Sequence, residues 1–386
     1  MRIAVNTRLL LSHRLDGIGW FAAETLQRMV CAHPEHEFLF LFDRTPDPQF
    51  LFADNVRPLV LHPQARHPIL WYLFFEWSVT RALRREHADL FLSPDGWMSL
   101  RTDVPTLTVI HDLNFEHASD YLRPSHQRYM KHFFPRFARR ASRIATVSEF
   151  SKQDLVETYS IDSKKVDVVY DGAHAGYRPL DEAAQQSVRD AFVDGHRYFL
   201  FVGTISRRKN LTNILLAFDN YKEQTHSDAL LLVVGSRYWW ADELKAAFDG
   251  MRHQSDVRFL GHAGADDLAK LMASSIALVY TSLFEGFGIP ILEAFQAETA
   301  VITSTVTSMP EVAGDAALIV DPHSVAQISE AMGRVESDVQ LRNQLIANGR
   351  RRRTLFSWER TSSLLWHSLM RVADVDNSSI NQNVKQ

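Results

Sequence analysis

The sequence has one cysteine, Cys31, in 386 residues. An intrachain disulfide is therefore impossible, and a zinc site built on several thiolates is excluded. So few thiols suit a reducing compartment. Long apolar runs are missing as well. No stretch reaches the roughly 18 apolar residues that a spanning helix needs. The nearest approach, ILWYLFFEWSV (69–79), is short and contains Glu76, and it reads as a helix buried in a core or lying at an interface. The opening MRIAVNTRLL has neither the apolar h-region nor the small-residue cleavage site of a signal peptide. An excess of either charge is lacking too. With 42 Lys and Arg against 46 Asp and Glu, the net charge is -4. A nucleic-acid binder is more often basic, so no nucleic acid is expected as a partner. The location expected from these absences is cytoplasmic.

What the chain does have is an ordinary globular composition, 46% hydrophobic and 23% charged. Its length exceeds what one hydrophobic core usually supports, which predicts two domains. Short apolar runs recur with polar loops and helical stretches between them. In the first half these are RIAVNTRLL (2–10), EFLFLFD (37–43), DLFLSP (89–94), TLTVIHDL (106–113), RIATVS (143–148) and VDVVYDG (166–172). In the second half they are YFLFVG (198–203), ALLLVVG (229–235), VRFLG (257–261), ALVYTS (277–282), AVITS (300–304) and AALIVD (316–321). Runs without alternation, each followed by a polar loop, are strands buried on both faces, the signature of parallel α/β sheets. The polar stretch 173–197 interrupts the series.

The fold class that follows is α/β, with two Rossmann-like, doubly wound parallel-sheet domains facing across a cleft. The predicted boundaries are 1–178 for the first domain, 179–196 for the connection and 197–356 for the second. A C-terminal helix at 357–373 is expected to pack back on the first domain, and 374–386 is expected to be a flexible tail. With so few ties between the halves, closure motion is expected. In open parallel sheets, ligands bind outside the carboxyl ends of the strands, so chemistry is sought in the loops there.

The most informative loop is LFEGFGIPILEAFQ (283–296), which sets Glu285 and Glu293 in a greasy stretch. Burying a carboxylate is costly unless something compensates it. Pro290 suits a first helical turn, which places Glu285 in the loop before a helix and Glu293 in its first turn. That helix end presents free N–H groups able to take a diphosphate. Gly286 and Gly288 allow close backbone approach, and carboxylates accept paired hydroxyls, as on a ribose or hexose. The plain alternative is a glycine-rich turn with a dipole-stabilising acid. FVGTISRRKN (201–210) places Arg207, Arg208 and Lys209 after a strand, either to clamp a pyrophosphate or as a solvated basic turn. VIHDL (109–113) ends a strand with His111 and Asp112. LDGIGWF (15–21) puts Gly17 and Gly19 in a loop before a helix, a weak signal for phosphate binding. The segment 123–143, basic and laced with aromatics, is open to two readings: a solvated helix, or a face touching an anionic membrane.

Taken in order, these pieces resemble glycosyltransferase family 4 of the GT-B superfamily over nearly the whole chain. They are GIG, HD, TVSEFSKQDL (146–155), FVGTISRRKN, FLGHAGADDLAKLMASSIALVYTSLFEGFGIPILEAF (259–295) and VITSTVTSMPEVAGDAALIVDP (301–322). The similarity is strongest to bacterial enzymes that build surface polysaccharides. The resemblance implies a retaining transfer of a hexosyl unit from a UDP- or GDP-linked sugar to a saccharide or lipid-linked saccharide, with no cofactor or metal. It implies an acceptor-binding first domain and a nucleotide-sugar-binding second domain, while peripheral association with the inner membrane surface rests only on the second reading of 123–143. Glu293 would hold the ribose and Glu285 the donor sugar, with amides of Gly286, Phe287, Gly288 and Ile289 near the sugar and phosphates. Lys209 with Arg208 or Arg207 would neutralise the leaving diphosphate beside Gly203 and Thr204. His111 would face the attacking hydroxyl, Gly17 and Gly19 would lie near phosphates and acceptor, and Gly261 and His262 near the base. Three positions depart from the family pattern. Thr204 stands where Arg is frequent, Thr281 where Pro is frequent, and Glu298 where Gly is common. Two other functions share the scaffold: a nucleotide-sugar 2-epimerase and a non-catalytic nucleotide-sugar-binding subunit.

Overall fold

The computed structural model describes residues 1–12, 15, 17–117, 122–236 and 242–383, with backbone alone for 375–383. Its contacts divide the chain into two units. The first comprises Met1–Asp171 together with the chain from Trp358 onward, and the second is Gly172–Ser357.

The first unit is built on a seven-stranded parallel sheet. Its strands are β1 (Arg2–Asn6), β2 (Glu37–Phe42), β3 (Val56–Val60), β4 (Leu90–Ser93), β5 (Thr106–Val109), β6 (Arg143–Thr146) and β7 (Val166–Val168). They lie in the order β3-β2-β1-β4-β5-β6-β7. The second unit has six: β8 (Tyr198–Val202), β9 (Leu230–Val234), β10 (Val257–Gly261), β11 (Ala277–Tyr280), β12 (Ala300–Ser304) and β13 (Leu318–Val320), in the order β10-β9-β8-β11-β12-β13. In both sheets the order reverses beside the first strand, between β1 and β4 and between β8 and β11. β8 (YFLFV) and β9 (LLLVV) are buried along their whole length, as helix-covered parallel strands must be.

The sequence pattern did not announce β3, VRPLV. Pro58 breaks the run, and it is tolerated because β3 is the sheet edge, where one row of ladder bonds is absent. Three predicted boundaries are corrected. The first unit yields to the second at Asp171, not at 178. The stretch 179–196 is not a bare connection, because the helix Glu182–Val193 occupies it, capped by the Asp181 side chain, and belongs to the second unit. The last helix runs Trp358–Asn383, so 374–383 continue it, and 384–386 lie outside the described residues.

That last helix packs on the helix Gly17–Ala32 and against β4, β5 and β6. Leu365, Leu369 and Val372 are buried, Trp366 stacks on His33 at 3.7 Å, and Arg371 reaches Asp167 at 2.9 Å. The run 69–79 forms the helix Pro68–Leu73 and a π-helical turn, Phe74–Val79, continued by the helix Thr80–Arg85. Trp71, Phe74, Phe75 and Val79 point into the first core. No helix among the described residues is long and apolar enough to cross a membrane.

Candidate functional site

The second unit gathers most of the predicted residues at its reversal point. β8 ends at Val202 and β11 at Tyr280, and the loops after them meet. Three contacts bring this about. Arg208 donates from Nη1 to the Phe284 carbonyl at 2.7 Å, Leu283 N donates to the Arg208 carbonyl at 2.8 Å, and Asn210 Nδ2 donates to the Thr281 carbonyl at 2.9 Å. Residues 207–209 form a 3₁₀ turn, not an open loop, and that turn rotates Lys209 inward while Arg207 stays exposed.

The compensation for the buried Glu285 carboxylate is local. Lys209 Nζ lies 2.7 Å from Oε1 and Arg208 Nη1 lies 2.6 Å from Oε2. Lys209 also donates to the Tyr280 hydroxyl at 2.6 Å. Burial alone would raise the Glu285 pKa, but Arg208 and Lys209 outweigh it and hold the group at about 2. One carboxylate, two cations and the Tyr280 hydroxyl are thus gathered in a largely buried cluster, where electrostatics act with less screening than in water. Of the two arginines between which the sequence left a choice, Arg208 joins this cluster. Arg207 is held near Glu243 at 3.9 Å.

The loop around Glu285 is held by residues that pattern reasoning passed over. Ser308 Oγ donates to the carbonyls of Glu285 and Phe287 at 2.9 and 2.8 Å, and Thr307 Oγ1 accepts from Glu285 N at 3.2 Å. Both lie in STVTSMPEV, where two small hydroxyls before a Pro were the available signal. Gly286 and Phe287 are buried, and the Phe287 ring packs on Phe356. Gly288, at φ +108, begins the helix Ile289–Gln296.

Glu293 sits on the second turn of that helix, not the first. It is partly exposed and bonded to the Tyr177 hydroxyl. Burial pushes its pKa up to about 7, against the pull of that hydrogen bond and of Lys209. Tyr177 has no motif around it and was invisible in the sequence. Glu285 and Glu293 are therefore both near Lys209, one fully ionised and the other poised at neutral pH.

Glycine is required at two strand ends. Gly203 has φ +142, and a Cβ there would meet Lys209 Cε at 3.2 Å. Gly235, at φ +154, is tighter still, since a Cβ would stand 1.9 Å from the Gly203 carbonyl oxygen. Thr204 follows, exposed, and Gly261 and His262 lie at the end of β10, His262 exposed.

Residues 184–352 match the family model described as glycosyl transferases group 1, and residues 16–175 match the model of glycosyltransferase family 4. The chain belongs to glycosyltransferase family 4. It is 29% identical to O-antigen chain mannosyltransferase B of Escherichia coli, over 90% of this chain and 94% of that one. To O-antigen chain mannosyltransferase RfbU of Salmonella typhimurium it is 27% identical, over 70% and 71%. The fold matches sucrose-phosphate synthase of Thermosynechococcus elongatus with a TM-score of 0.77 at 17% identity, over 97% and 99% of the two chains. It matches WaaG, a glycosyltransferase involved in lipopolysaccharide biosynthesis, at 0.71 and 16%, over 97% and 99%. The two units are accordingly the two Rossmann-like domains of a GT-B enzyme.

In this family 4 glycosyltransferase the remaining predicted residues lie in the first unit. His111 follows β5, and its Nε2 bonds the Pro94 carbonyl at 2.8 Å while its ring meets Phe21 edge-on at 4.8 Å. Gly17 and Gly19 are corrected: the helix begins at Gly17, so both lie in its first turn and Gly19 is buried. A cluster that no motif marked occupies the reversal point between β1 and β4. Asp95 accepts from Asn6 Nδ2 and Arg8 Nε, both at 2.7 Å, and the Arg8 guanidinium lies over Trp97 at 4.9 Å. It sits one residue from Pro94, whose carbonyl holds His111.

Proposed function

We propose that this glycosyltransferase moves a mannosyl unit, with retention at the anomeric carbon, from a nucleotide-diphosphate sugar to the growing saccharide or lipid-linked saccharide of a bacterial surface polysaccharide. The observation that carries the reading is the buried Lys209–Glu285–Arg208 cluster beside Glu293 at the β8/β11 reversal point. Two cations and an ionised carboxylate held there suit a departing diphosphate and a sugar bearing positive character. The naming of both relatives as O-antigen mannosyltransferases supports the sugar and the class of acceptor.

In the proposed roles, the second unit holds the donor. Glu293 accepts the ribose hydroxyls, and the backbone around Gly288 and Ile289 meets the phosphates. Lys209 and Arg208 face the leaving oxygen, and Glu285 orients them and contacts the sugar hydroxyls. As the C1–O bond to the phosphate breaks, its electron pair passes to the phosphate oxygen. The acceptor hydroxyl forms the new bond to C1 on the same face and gives its proton to that phosphate oxygen. A double-displacement route needs a second carboxylate at the anomeric carbon, and none of the proposed site residues of the first unit is an acid. His111 orients the acceptor hydroxyl. The reaction needs no metal in this scheme.

The first measurement is thermal unfolding with UDP, GDP, ADP and dTDP, for the parent and Glu293→Ala. A ligand at about 100 times its Kd adds roughly 2.7 kcal/mol to the native state. One nucleotide should raise the melting temperature of the parent and not of the variant, and no shift with any of the four overturns the reading. Assay with GDP-mannose and NMR of the product's anomeric proton then test sugar and stereochemistry. An inverted product overturns the same-face route.

A further inference from the structure

Three hydrogen-bond donors of the first unit are buried and unspent. Arg8, Trp97 and Tyr129 are only 8%, 7% and 9% exposed. The Arg8 guanidinium gives its Nε edge to Asp95 at 2.7 Å, and its two terminal amino groups make no hydrogen bond among the described residues. The Trp97 indole N–H and the Tyr129 hydroxyl likewise have no partner among the described residues. None of these atoms is sealed from solvent, so a ligand can reach them. Buried polar groups nearly always find partners, and several unspent donors in one place mark a site.

The three side chains stand together. The Arg8 guanidinium lies over the Trp97 ring at 4.9 Å, and Trp97 stacks on Tyr129 at 5.2 Å. Arg8 follows β1 and Trp97 follows β4, which places the group at the reversal point of the first sheet, where open parallel sheets take ligands. Its surroundings favour an oxyanion. Asp95 is spent, with one oxygen bonded by Asn6, Ser93 and the Trp97 backbone N and the other by Arg8. Glu76 is the acid whose charge acts on Tyr129; its Oε1 accepts from Leu100 N, and its Oε2 is sealed from solvent. Burial raises the Glu76 pKa, which favours its neutral form, and burial keeps the Tyr129 hydroxyl protonated. A sugar hydroxyl wants an acceptor as well as a donor, and no carboxylate oxygen here is open to it.

We propose that Arg8, Tyr129 and Trp97 form an oxyanion subsite for an acid group, carboxylate or phosphate, carried by the acceptor. The fork of Nη1 and Nη2 takes two oxygens of that group, and the hydroxyl and the indole N–H take what remains. Asp95 and the Trp97 face hold the guanidinium flat, a task that suits arginine and not lysine. The same loop carries Pro94, whose carbonyl bonds His111, so one loop sets both the acid group and the residue proposed to orient the accepting hydroxyl. The inference rests on the first unit being the acceptor side of the proposed transfer. It adds that the acceptor is anionic, which a chain of neutral hexoses is not.

Thermal unfolding of the full chain with sugars alone tests this, at matched ionic strength and with no nucleotide present. The probes are mannose 6-phosphate, glucuronate and mannose. An acidic sugar should raise the melting temperature where mannose does not, and whichever of the two binds tighter names the acid group. Arg8→Lys keeps the charge but not the fork and should weaken that binding about tenfold or more. Tyr129→Phe removes one hydroxyl only and should weaken it about threefold or more, and it carries the test should Arg8→Lys fail to fold. Lys209→Ala should leave the response unchanged, which separates this subsite from the donor site. The proposal is overturned if neither acidic sugar stabilises the parent more than mannose does, or if the variants that fold bind as tightly as the parent. Loss of the response in Lys209→Ala also overturns it, by assigning the anion to the donor site. A nucleotide response without an acidic-sugar response sinks the subsite alone and leaves the proposed transfer standing.

Discussion

Glu285 sits between Lys209 and Arg208 at distances of 2.7 and 2.6 Å, and the three charges are stable only as a set. Removing the carboxylate leaves buried Lys209 and half-buried Arg208 facing each other, a change that costs up to about 3–5 kcal/mol, the figure for a fully buried pair. Glu285→Gln is therefore expected to destabilise the protein in chemical denaturation more than Lys209→Ala, which leaves Arg208 on the carboxylate. In steady-state assays Lys209→Ala should lower kcat by about 10²–10³. Glu293 behaves oppositely. Its folded pKa, about 7, lies above the ordinary 4.5, so the native state holds the proton more tightly than the unfolded chain. The stability this gives is present below the ordinary value and is lost as pH rises through about 7. Asp171, buried and raised to about 8, acts in the same direction, so only the comparison with Glu293→Gln isolates Glu293. In the proposed role the ionised form is the better acceptor for two ribose hydroxyls, so the nucleotide-induced rise in melting temperature should be larger at pH 8 than at pH 6, and Glu293→Gln should flatten that difference. At this scale the clustering of Glu285 with Lys209 and Arg208 was legible, because charge in an apolar run demands compensation. The groups that hold them were not. Tyr177, Tyr280 and Ser308 look like any other hydroxyl until the fold brings them across the chain.

The elements that carry these residues owe their geometry to turns at strand ends. Gly235 is the sharpest case, its missing Cβ making room for the Gly203 carbonyl. Gly235→Ala must displace the end of β8 and with it Lys209. It should cost about 1–3 kcal/mol for the forced backbone alone and weaken nucleotide binding, read as a smaller ligand-induced shift. Glu298 shows the same constraint met by an unsuitable residue. It adopts φ +58, a left-handed conformation that favours glycine, and its carboxylate is held by Arg350 and Arg353. Glu298→Gly should raise the melting temperature slightly or leave it unchanged, since relief of strain offsets the lost ion pairs. Buried parallel strands announce themselves as unbroken apolar runs, and twelve of the thirteen described strands were legible for that reason. β3 was not, because an edge strand with a proline has neither the run nor the alternation. The helix Glu182–Val193 was hidden for a related reason: its buried face is narrow, and a polar helix reads as linker.

On the scale of the whole molecule, the chain makes the first unit, then the second, then returns to finish the first. The returning helix buries Trp358, Leu365, Leu369 and Val372. At roughly 1.5–3 kcal/mol for each such side chain, their loss rivals the whole stability of a typical domain, about 5–15 kcal/mol. A chain ending at Ser357 is expected to leave the first unit unfolded while the second still melts cooperatively and responds to nucleotide. The return also sets an order in time. During synthesis at about 5–20 residues per second, the closing helix leaves the ribosome roughly 10–40 s after Asp171 does. The second unit, complete at Ser357, is free to fold in that interval, while the seven-stranded sheet waits with its side facing the last helix uncovered. The half of the enzyme made first is thus the half completed last, and in the growing chain that uncovered surface is where chaperones would be needed most.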